Sequence, residues 1–244
     1  MKPEIYIGTA GWSIPPQLAK RFPGTGTHLE RYSRIFNAVE INSSFYLDHQ
    51  IKTYQRWADS VPPDFRFSVK LSRYFTQEMR LKDTGAKLIE TLDAIKGLGR
   101  KWGVLLIQLP PSLGFNARDA EKFFSKIRQL YKGAIAIEPR HMSWANPKAL
   151  KLYKELKIEK VSADPERCPS TFESKSLAYL RLHGSPVIYK SNYGSKALAK
   201  YASELKDASA KKRWCIFDNT TFGFATENAL QLTRMHNEKV RTTF

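Results

Sequence analysis

The chain has 244 residues, 42% of them hydrophobic, with Cys168 and Cys215 as its only cysteines. That apolar content supports a sizeable core and excludes a disordered chain, and the cysteine count excludes a disulfide framework or a Cys-based zinc module. Lys and Arg number 40 against 23 Asp and Glu, and the resulting +17 favours anionic partners, although Lys148, Lys151, Lys154 and Lys157 also read as one solvated helix face.

At the N-terminus Met1-Lys2-Pro3-Glu4 lacks a basic-then-apolar signal pattern, and no apolar run approaches the roughly 20 residues that span a bilayer. The expectation is a soluble cytoplasmic protein with no membrane partner. The first strand-like run is Ile5 to Gly8, followed by a loop holding Gly11-Trp12-Ser13 and Pro15-Pro16. An amphipathic stretch from Leu29 to Phe36 leads into a strand at Ala38–Asn42, and a helical pattern over Ile51–Ala58 ends before Pro62-Pro63. Phe65 to Lys70 alternates apolar and polar residues. A helix over about Ala86–Leu98 precedes the strand Gly103–Leu109, and Asn116 is placed to cap a helix running through Phe123, Ile127 and Leu130. The fifth strand is Ala134–Glu138, with a helix from Pro147 to Leu156. The sixth is Lys160–Asp164, after which Pro165–Ser176 holds no helix pattern. Leu177–His183 is the seventh, with a helix near Lys196–Leu205. Trp214–Asn219 is the eighth, with a last helix near Ala225–Met235. Eight alternations predict an α/β fold, a single-domain (β/α)8 TIM barrel over residues 1–244. The alternative, an open doubly wound sheet, lacks its dinucleotide fingerprint, because Gly8-Thr9-Ala10-Gly11 does not supply the three-glycine spacing.

The fifth strand shows how such a barrel presents a site. Its apolar run ends abruptly in Glu138-Pro139-Arg140-His141, at the C-terminal end where barrel sites lie. Alternate residues of a strand share a face, so Glu138 goes with Ala136 and Ala134, Glu40 with Asn42, and Lys70 with Ser68 and Arg66. Tyr179, Arg181 and His183 form another such set. Gln108, Asp164 and either Asp218 or Asn219 add polar groups at the same end. Barrel interiors are normally layers of Val, Ile and Leu. Glu40, Glu138 and Asp164 against Lys70 and Arg181 therefore mark either a site or a structural ion-pair network.

The loops after the strands carry Trp12, Phe45, Tyr46, Tyr74, Phe75, Trp144, Tyr189, Tyr193 and Phe222, together with Arg73 and Arg140. Rings beside cations suit stacking on a base or sugar while phosphate is gripped, and they equally suit packing over a barrel mouth. Gly184-Ser185 and Thr220-Thr221-Phe222-Gly223 follow the seventh and eighth strands, where many barrels hold phosphate on backbone N–H groups. Glu40, Glu138, Asp164, His141 and His183 offer oxygen and nitrogen ligands that suit a divalent metal such as Zn, Mn or Mg, but at no diagnostic spacing. No cofactor is identified. Lys70 has the chemistry of a Schiff-base lysine, but a neighbouring Glu40 or Glu138 would keep it protonated. Cys215 reads as a core residue.

Gly8-Thr9-Ala10-Gly11-Trp12, Val39-Glu40-Ile41-Asn42-Ser43-Ser44-Phe45-Tyr46, Phe67-Ser68-Val69-Lys70, Gln108-Leu109-Pro110-Pro111, Ile137-Glu138-Pro139-Arg140-His141, Ser143-Trp144 and Leu182-His183-Gly184 follow one another in this order. Together they resemble the YecE-like family, also called domain of unknown function 72, over nearly the whole chain. The resemblance implies a TIM barrel and no established reaction. That fold is similar to metal-dependent barrels such as endonuclease IV and the sugar isomerases, which is analogy only. Pro139 stands where the family usually has Phe, and Ser13-Ile14-Pro15-Pro16 where an aromatic residue is common.

The preferred functional expectation is an enzyme acting on an anionic, phosphate-bearing substrate, by hydrolysis of nucleic acid or another phosphoester rather than by sugar-phosphate isomerisation. Glu138 or Glu40 would be general base or metal ligand, and His183 or His141 the proton carrier. Lys70, Arg140 and Arg181 would hold the anion. Trp12, Asn42, Tyr46, Arg73, Gln108, Trp144, Asp164, Gly184 and Asn219 complete the expected binding surface. The alternatives are a non-catalytic binder of single-stranded nucleic acid and a scaffold with a structural charged interior.

Overall fold

Period-two patterning and capping residues set the elements of the computed structural model, which describes residues 4–170 and 176–241. Met1-Lys2-Pro3 and five residues of the Pro165–Ser176 stretch lie outside them. The strands are β1 (Glu4–Thr9), β2 (Ala38–Ile41), β3 (Arg66–Lys70), β4 (Trp102–Gln108), β5 (Ala134–Glu138), β6 (Ile158–Lys160), β7 (Ser162–Asp164), β8 (Leu177–Leu182) and β9 (Lys212–Phe217). The helices between and after them are α1 (His28–Ser33), α2 (Ile51–Asp59), α3 (Ala86–Ile95), α4 (Ala117–Leu130), α5 (Pro147–Glu155), α6 (Ser195–Asp207) and α7 (Phe224–Arg241). Among the described residues no helix is long and apolar enough to cross a membrane.

Helix starts follow local chemistry. Thr27 and Glu30 form a reciprocal capping box on α1. The Asn116 side chain accepts the Asp119 N–H at 3.1 Å as foreseen, and Asn146 caps α5 ahead of Pro147. The expected helix from Ala86 to Leu98 is shorter as an α-helix, because its last turn tightens into a 3₁₀ segment, Lys96–Lys101, containing Gly99 at φ +54°.

All strand pairs are parallel, in a four-stranded sheet ordered β1-β9-β8-β7 and a five-stranded sheet ordered β2-β3-β4-β5-β6. This is a single α/β domain of parallel strands alternating with helices. The expected sixth strand is split in two: its first part pairs with β5 and its second with β8. Only Val161 separates them, and its N–H donates to Ile137 of β5 at 2.8 Å. At the other seam Ala10 bridges Glu40 and the Gly11 N–H donates to the Glu40 carbonyl at 2.8 Å. Gly8 permits this approach, since a Cβ there would lie 2.0 Å from the Ala38 carbonyl oxygen.

The Tyr32 hydroxyl spans the same seam, accepting the Thr9 N–H at 2.8 Å and donating to the Ala38 carbonyl at 3.1 Å. Tyr32 is fully buried, so Tyr32→Phe leaves two backbone groups without a partner. It should cost about 1–3 kcal/mol in urea unfolding. A loss under a few tenths would show that the seam holds without the hydroxyl.

Strand parity sorts the side chains as expected. Val39, Ile41, Phe67, Val69, Ile135, Ile137, Leu180 and Leu182 pack outward with Leu88, Leu92, Phe123, Ile127 and Leu198 of the helices. Tyr6, Ala38, Val104, Leu106, Ala136, Val161, Tyr179, Trp214 and Ile216 form a separate inner cluster. Cys215 is buried in the outer core, as foreseen.

Candidate functional site

Above the inner apolar cluster, the strand C-termini deliver charge. Arg181 of β8 is fully buried, and its guanidinium meets three carboxylates, from β2, from β5 and from the residue that follows β9. Nη2 lies 2.7 Å from Glu40 Oε1 and 2.9 Å from Asp218 Oδ2, and Nη1 lies 2.9 Å from Glu138 Oε2. A planar fork with five N–H donors is the side chain suited to such bridging. Tyr179 donates to Glu40 Oε2 at 3.0 Å, and Gln108 Oε1 accepts from Arg181 and Arg140 at 3.1 Å each.

His183 continues the network. Its Nε2 lies 3.1 Å from Glu138 Oε1 and its Nδ1 lies 3.0 Å from Asp218 Oδ2. Burial lowers its pKa, but Glu138 and Asp218 outweigh burial and raise it above the ordinary histidine value. With both ring nitrogens facing carboxylates, the imidazolium form is favoured, and its 3.4 Å approaches to Arg140 and Arg181 are then not hydrogen bonds. Arg140 Nε donates to Glu138 Oε1 at 2.7 Å. Burial pushes the Glu138 carboxyl up, yet Arg181, His183 and Arg140 together hold it well below the usual carboxylate range. The same contest leaves Asp218 lowered, by Arg181 and His183 against burial.

Lys70 is the exception. It is buried, 6% exposed, and its Nζ sits 4.0 Å from the centre of the Phe45 ring. Among the described residues Nζ has no hydrogen bond or ion pair. Burial and the neighbouring Arg181 bring its pKa down to about 8, against the pull of Glu40, Asp218 and Glu138. Neither glutamate pairs with Lys70 directly, since those carboxylates are already engaged by Arg181, Arg140 and His183, yet at about 8 the amine still holds its proton at neutral pH, as expected.

Of the expected site residues, Glu40, Lys70, Gln108, Glu138, Arg140, Arg181 and His183 converge. Between the two candidates at the end of β9, Asp218 is the inward one. Asn219 is instead fully buried in a loop network, donating to Ser191 O and Asn228 Oδ1 at 2.9 Å each. Asp164 is also corrected: Val161 and Ala163 take the inward positions, so Asp164 faces α6 and accepts from Tyr201 at 2.8 Å. His141 lies outside the cluster, exposed, with Nδ1 2.8 Å from Ser143 Oγ. Trp144 is not on the rim. It is sealed among Phe115, Phe124 and Tyr153 and donates to Leu113 O at 2.8 Å. Gly184, at φ +97°, spends its N–H on the Tyr193 hydroxyl at 2.8 Å. The N–H groups of Thr221 and Gly223 are likewise bonded internally, so these three donors are not offered to a phosphate. Trp12 is half-buried edge-on to Trp57, and Asn42 is half-buried with Oδ1 enclosed and unpartnered. Tyr46 is 72% exposed, and Arg73 is exposed and paired with Glu78 at 3.3 Å.

A cavity of about 250 Å³ opens over the cluster, lined among others by Glu138, Arg140, His183, Lys160, Arg167 and Tyr189. Lys160 and Arg167 were not foreseen. Arg167 falls in the stretch after β7, whose sequence has no regular pattern to place it. Among the described residues no group of His, Cys, Asp and Glu is disposed to hold a metal ion. The physical reason is visible: the space shared by Glu40, Glu138 and Asp218 is filled by the Arg181 guanidinium.

The family described as "Protein of unknown function DUF72" matches residues 6–243. UPF0759 protein YunF of Bacillus subtilis is 26% identical over 271 residues, covering 93% of each chain. UPF0759 protein YecE of Escherichia coli is 31% identical over 110 residues, which span 45% of this chain and 39% of that protein. A crystal structure of a DUF72 family protein from Thermotoga maritima superposes with a TM-score of 0.77 at 23% identity, covering 95% of this chain and 98% of that one. Another, from Enterococcus faecalis, does so with a TM-score of 0.77 at 23% identity, covering 96% and 95%.

Proposed function

The chain belongs to the DUF72 family, whose function is unknown, and from the chemistry of its site we propose an enzyme that binds a small phosphate-bearing substrate at the C-terminal ends of its strands. We read the two sheets as one eight-stranded barrel, joined through Val161 and through the Ala10–Glu40 bridge. The observation that carries the functional reading is Arg140 over the cavity. Glu138 and Gln108 fix its Nε and one Nη2 hydrogen, while its side chain stays 15% exposed and lines the cavity. Arg167, exposed and without a partner among the described residues, lines the same cavity. Two guanidinium groups on one small cavity suit a phosphate better than a neutral ligand. A volume near 250 Å³ suits a phosphorylated metabolite rather than a polynucleotide.

The proton chemistry is reassigned within this reading. Glu40 is sealed away from a substrate, and Glu138, held anionic by three cations, lacks the basicity of a general base. His183, kept protonated, is the acid, and Lys70, pulled down to about 8, is the base. The two shifts run toward each other, His183 upward and Lys70 downward, which brings both groups closer to the range in which a general acid and base work near neutral pH.

The test is calorimetric titration with inorganic phosphate, pyrophosphate and sugar phosphates. Arg167→Gln touches no structural partner, so it should weaken binding by about 10-fold without lowering Tm, the loss of one charge-assisted contact. Arg140→Gln should weaken it further. Unchanged affinity in both variants would overturn the anion site.

A second reading, binding of single-stranded nucleic acid, is favoured by the +17 charge and by exposed Tyr46, Tyr189 and Phe222. It requires affinity for oligonucleotides that falls steeply with salt and survives Arg167→Gln.

A further inference from the structure

In a cluster where each other charge is matched, a lysine left without a counter-ion requires a reason. Lys70 ends β3, and the groups facing it come from every side: Arg181 on β8, Glu40 on β2, Glu138 on β5, Asp218 after β9, and the Phe45 ring after β2. The three carboxylates are occupied by Arg181, His183, Arg140 and Tyr179. Lys70 lines a cavity of about 300 Å³ together with Ser44, His49, Ser72 and Lys87, whereas the cavity over Arg140 is lined without it. A guanidinium alongside and scarce solvent both weaken the hold of the amine on its proton, outweighing the favourable ring contact. Those are the conditions that turn a lysine into a nucleophile.

We propose that Lys70 is a nucleophilic amine and that the substrate of this site is an aldehyde or ketone carrying a phosphate, with which Lys70 condenses to an imine. The carbonyl part of the proposal rests on Lys70 alone, and the phosphate part rests on the anion reading above. The lone pair of neutral Nζ adds to the carbonyl carbon and breaks the C=O π bond, giving a carbinolamine. One proton is taken up, water departs with the former carbonyl oxygen, and a protonated C=N bond to Nζ remains. No oxidant or reductant is consumed, and hydrolysis runs the same steps backwards.

The experiment is reductive trapping of the full chain with borohydride in the presence of glyceraldehyde 3-phosphate or dihydroxyacetone phosphate, followed by peptide mass mapping. The expected result is an adduct concentrated on Lys70, absent in Lys70→Arg and Lys70→Met, and suppressed by inorganic phosphate. A measurement on the unaltered protein stands beside it: competitive acetylation with trace acetic anhydride across pH 6–11. Lys70 should acquire reactivity with a midpoint near 8, and at pH 8 its neutral fraction should exceed that of a surface lysine on the order of 100-fold. An adduct spread over surface lysines, or a Lys70 midpoint near the ordinary value of about 10.4, overturns the proposal. If phosphate binds and Arg167→Gln weakens it while neither carbonyl probe is trapped on Lys70, the imine fails and the anion site stands. If trapping on Lys70 is indifferent to phosphate and to Arg167→Gln, the imine stands and the anion reading fails.

Discussion

Arg181→Met should destabilise the protein by roughly 3–5 kcal/mol, because it leaves buried carboxylates without the cation that joins them. For a chain of this length that corresponds to a fall in Tm on the order of 10 °C. Glu40 would keep only the Tyr179 hydroxyl, since its other contacts are to Arg181. Arg181→Lys should recover little, because one ammonium does not reach Glu40, Glu138 and Asp218 at once. The gap between the two proteins should narrow in acid. Glu138 and Asp218 have depressed folded-state pKa values, so their stabilisation is complete above the unfolded value of about 4 and is lost as pH falls through the folded ones. Urea unfolding at pH 7 and at steps below pH 4 measures both effects. A loss under 1 kcal/mol at pH 7 would mean that Arg181 does not hold the strands together.

Lys70→Met has the opposite sign. A lysine at about 8 in the folded protein and about 10.4 unfolded binds its proton less tightly when folded, so below pH 8 the charge opposes folding. Methionine removes that penalty, and the variant should be more stable by on the order of 2–3 kcal/mol at pH 7. Loss of the Phe45 contact offsets about 0.5–1 kcal/mol of it. The advantage should shrink as pH rises from 8 towards 10.4 and vanish beyond. His183 runs the other way in both proteins: its raised pKa supplies stability in full below about 6.5, lost as pH rises through the folded value. Thermal melts from pH 6 to pH 11 separate the two. A Lys70→Met protein less stable than its parent at pH 7 would identify Lys70 as a structural counter-ion and remove the case for chemistry there. Stabilisation on removing a site residue is what a stability–function trade-off produces.

The convergence of Glu40, Lys70, Gln108, Glu138, Arg181 and His183 was legible because strand parity is local and each of these residues shares a face with its neighbours two positions away. Asp164 was misplaced for the same reason. In Ser162-Ala163-Asp164 the inward register is set by Val161 and Ala163, and a polar residue at the strand end invites the other parity. Loop residues obey no period. His141 turns back to cap a 3₁₀ turn, and Trp144 folds beneath α4 and α5, because the Asn146 cap and Pro147 start a helix at once.

The order of strands and helices, and which charged residues face inward, were determined by hydrophobic periodicity along the chain. Which charges pair was decided only in three dimensions. Glu40 and Arg181 are 141 positions apart, and their meeting depends on how strands from the two sheets are juxtaposed, which no local pattern encodes. The same juxtaposition engages the carboxylates elsewhere and leaves Lys70 without one, so the residue with the greatest chemical potential in the chain owes it to its neighbours' positions.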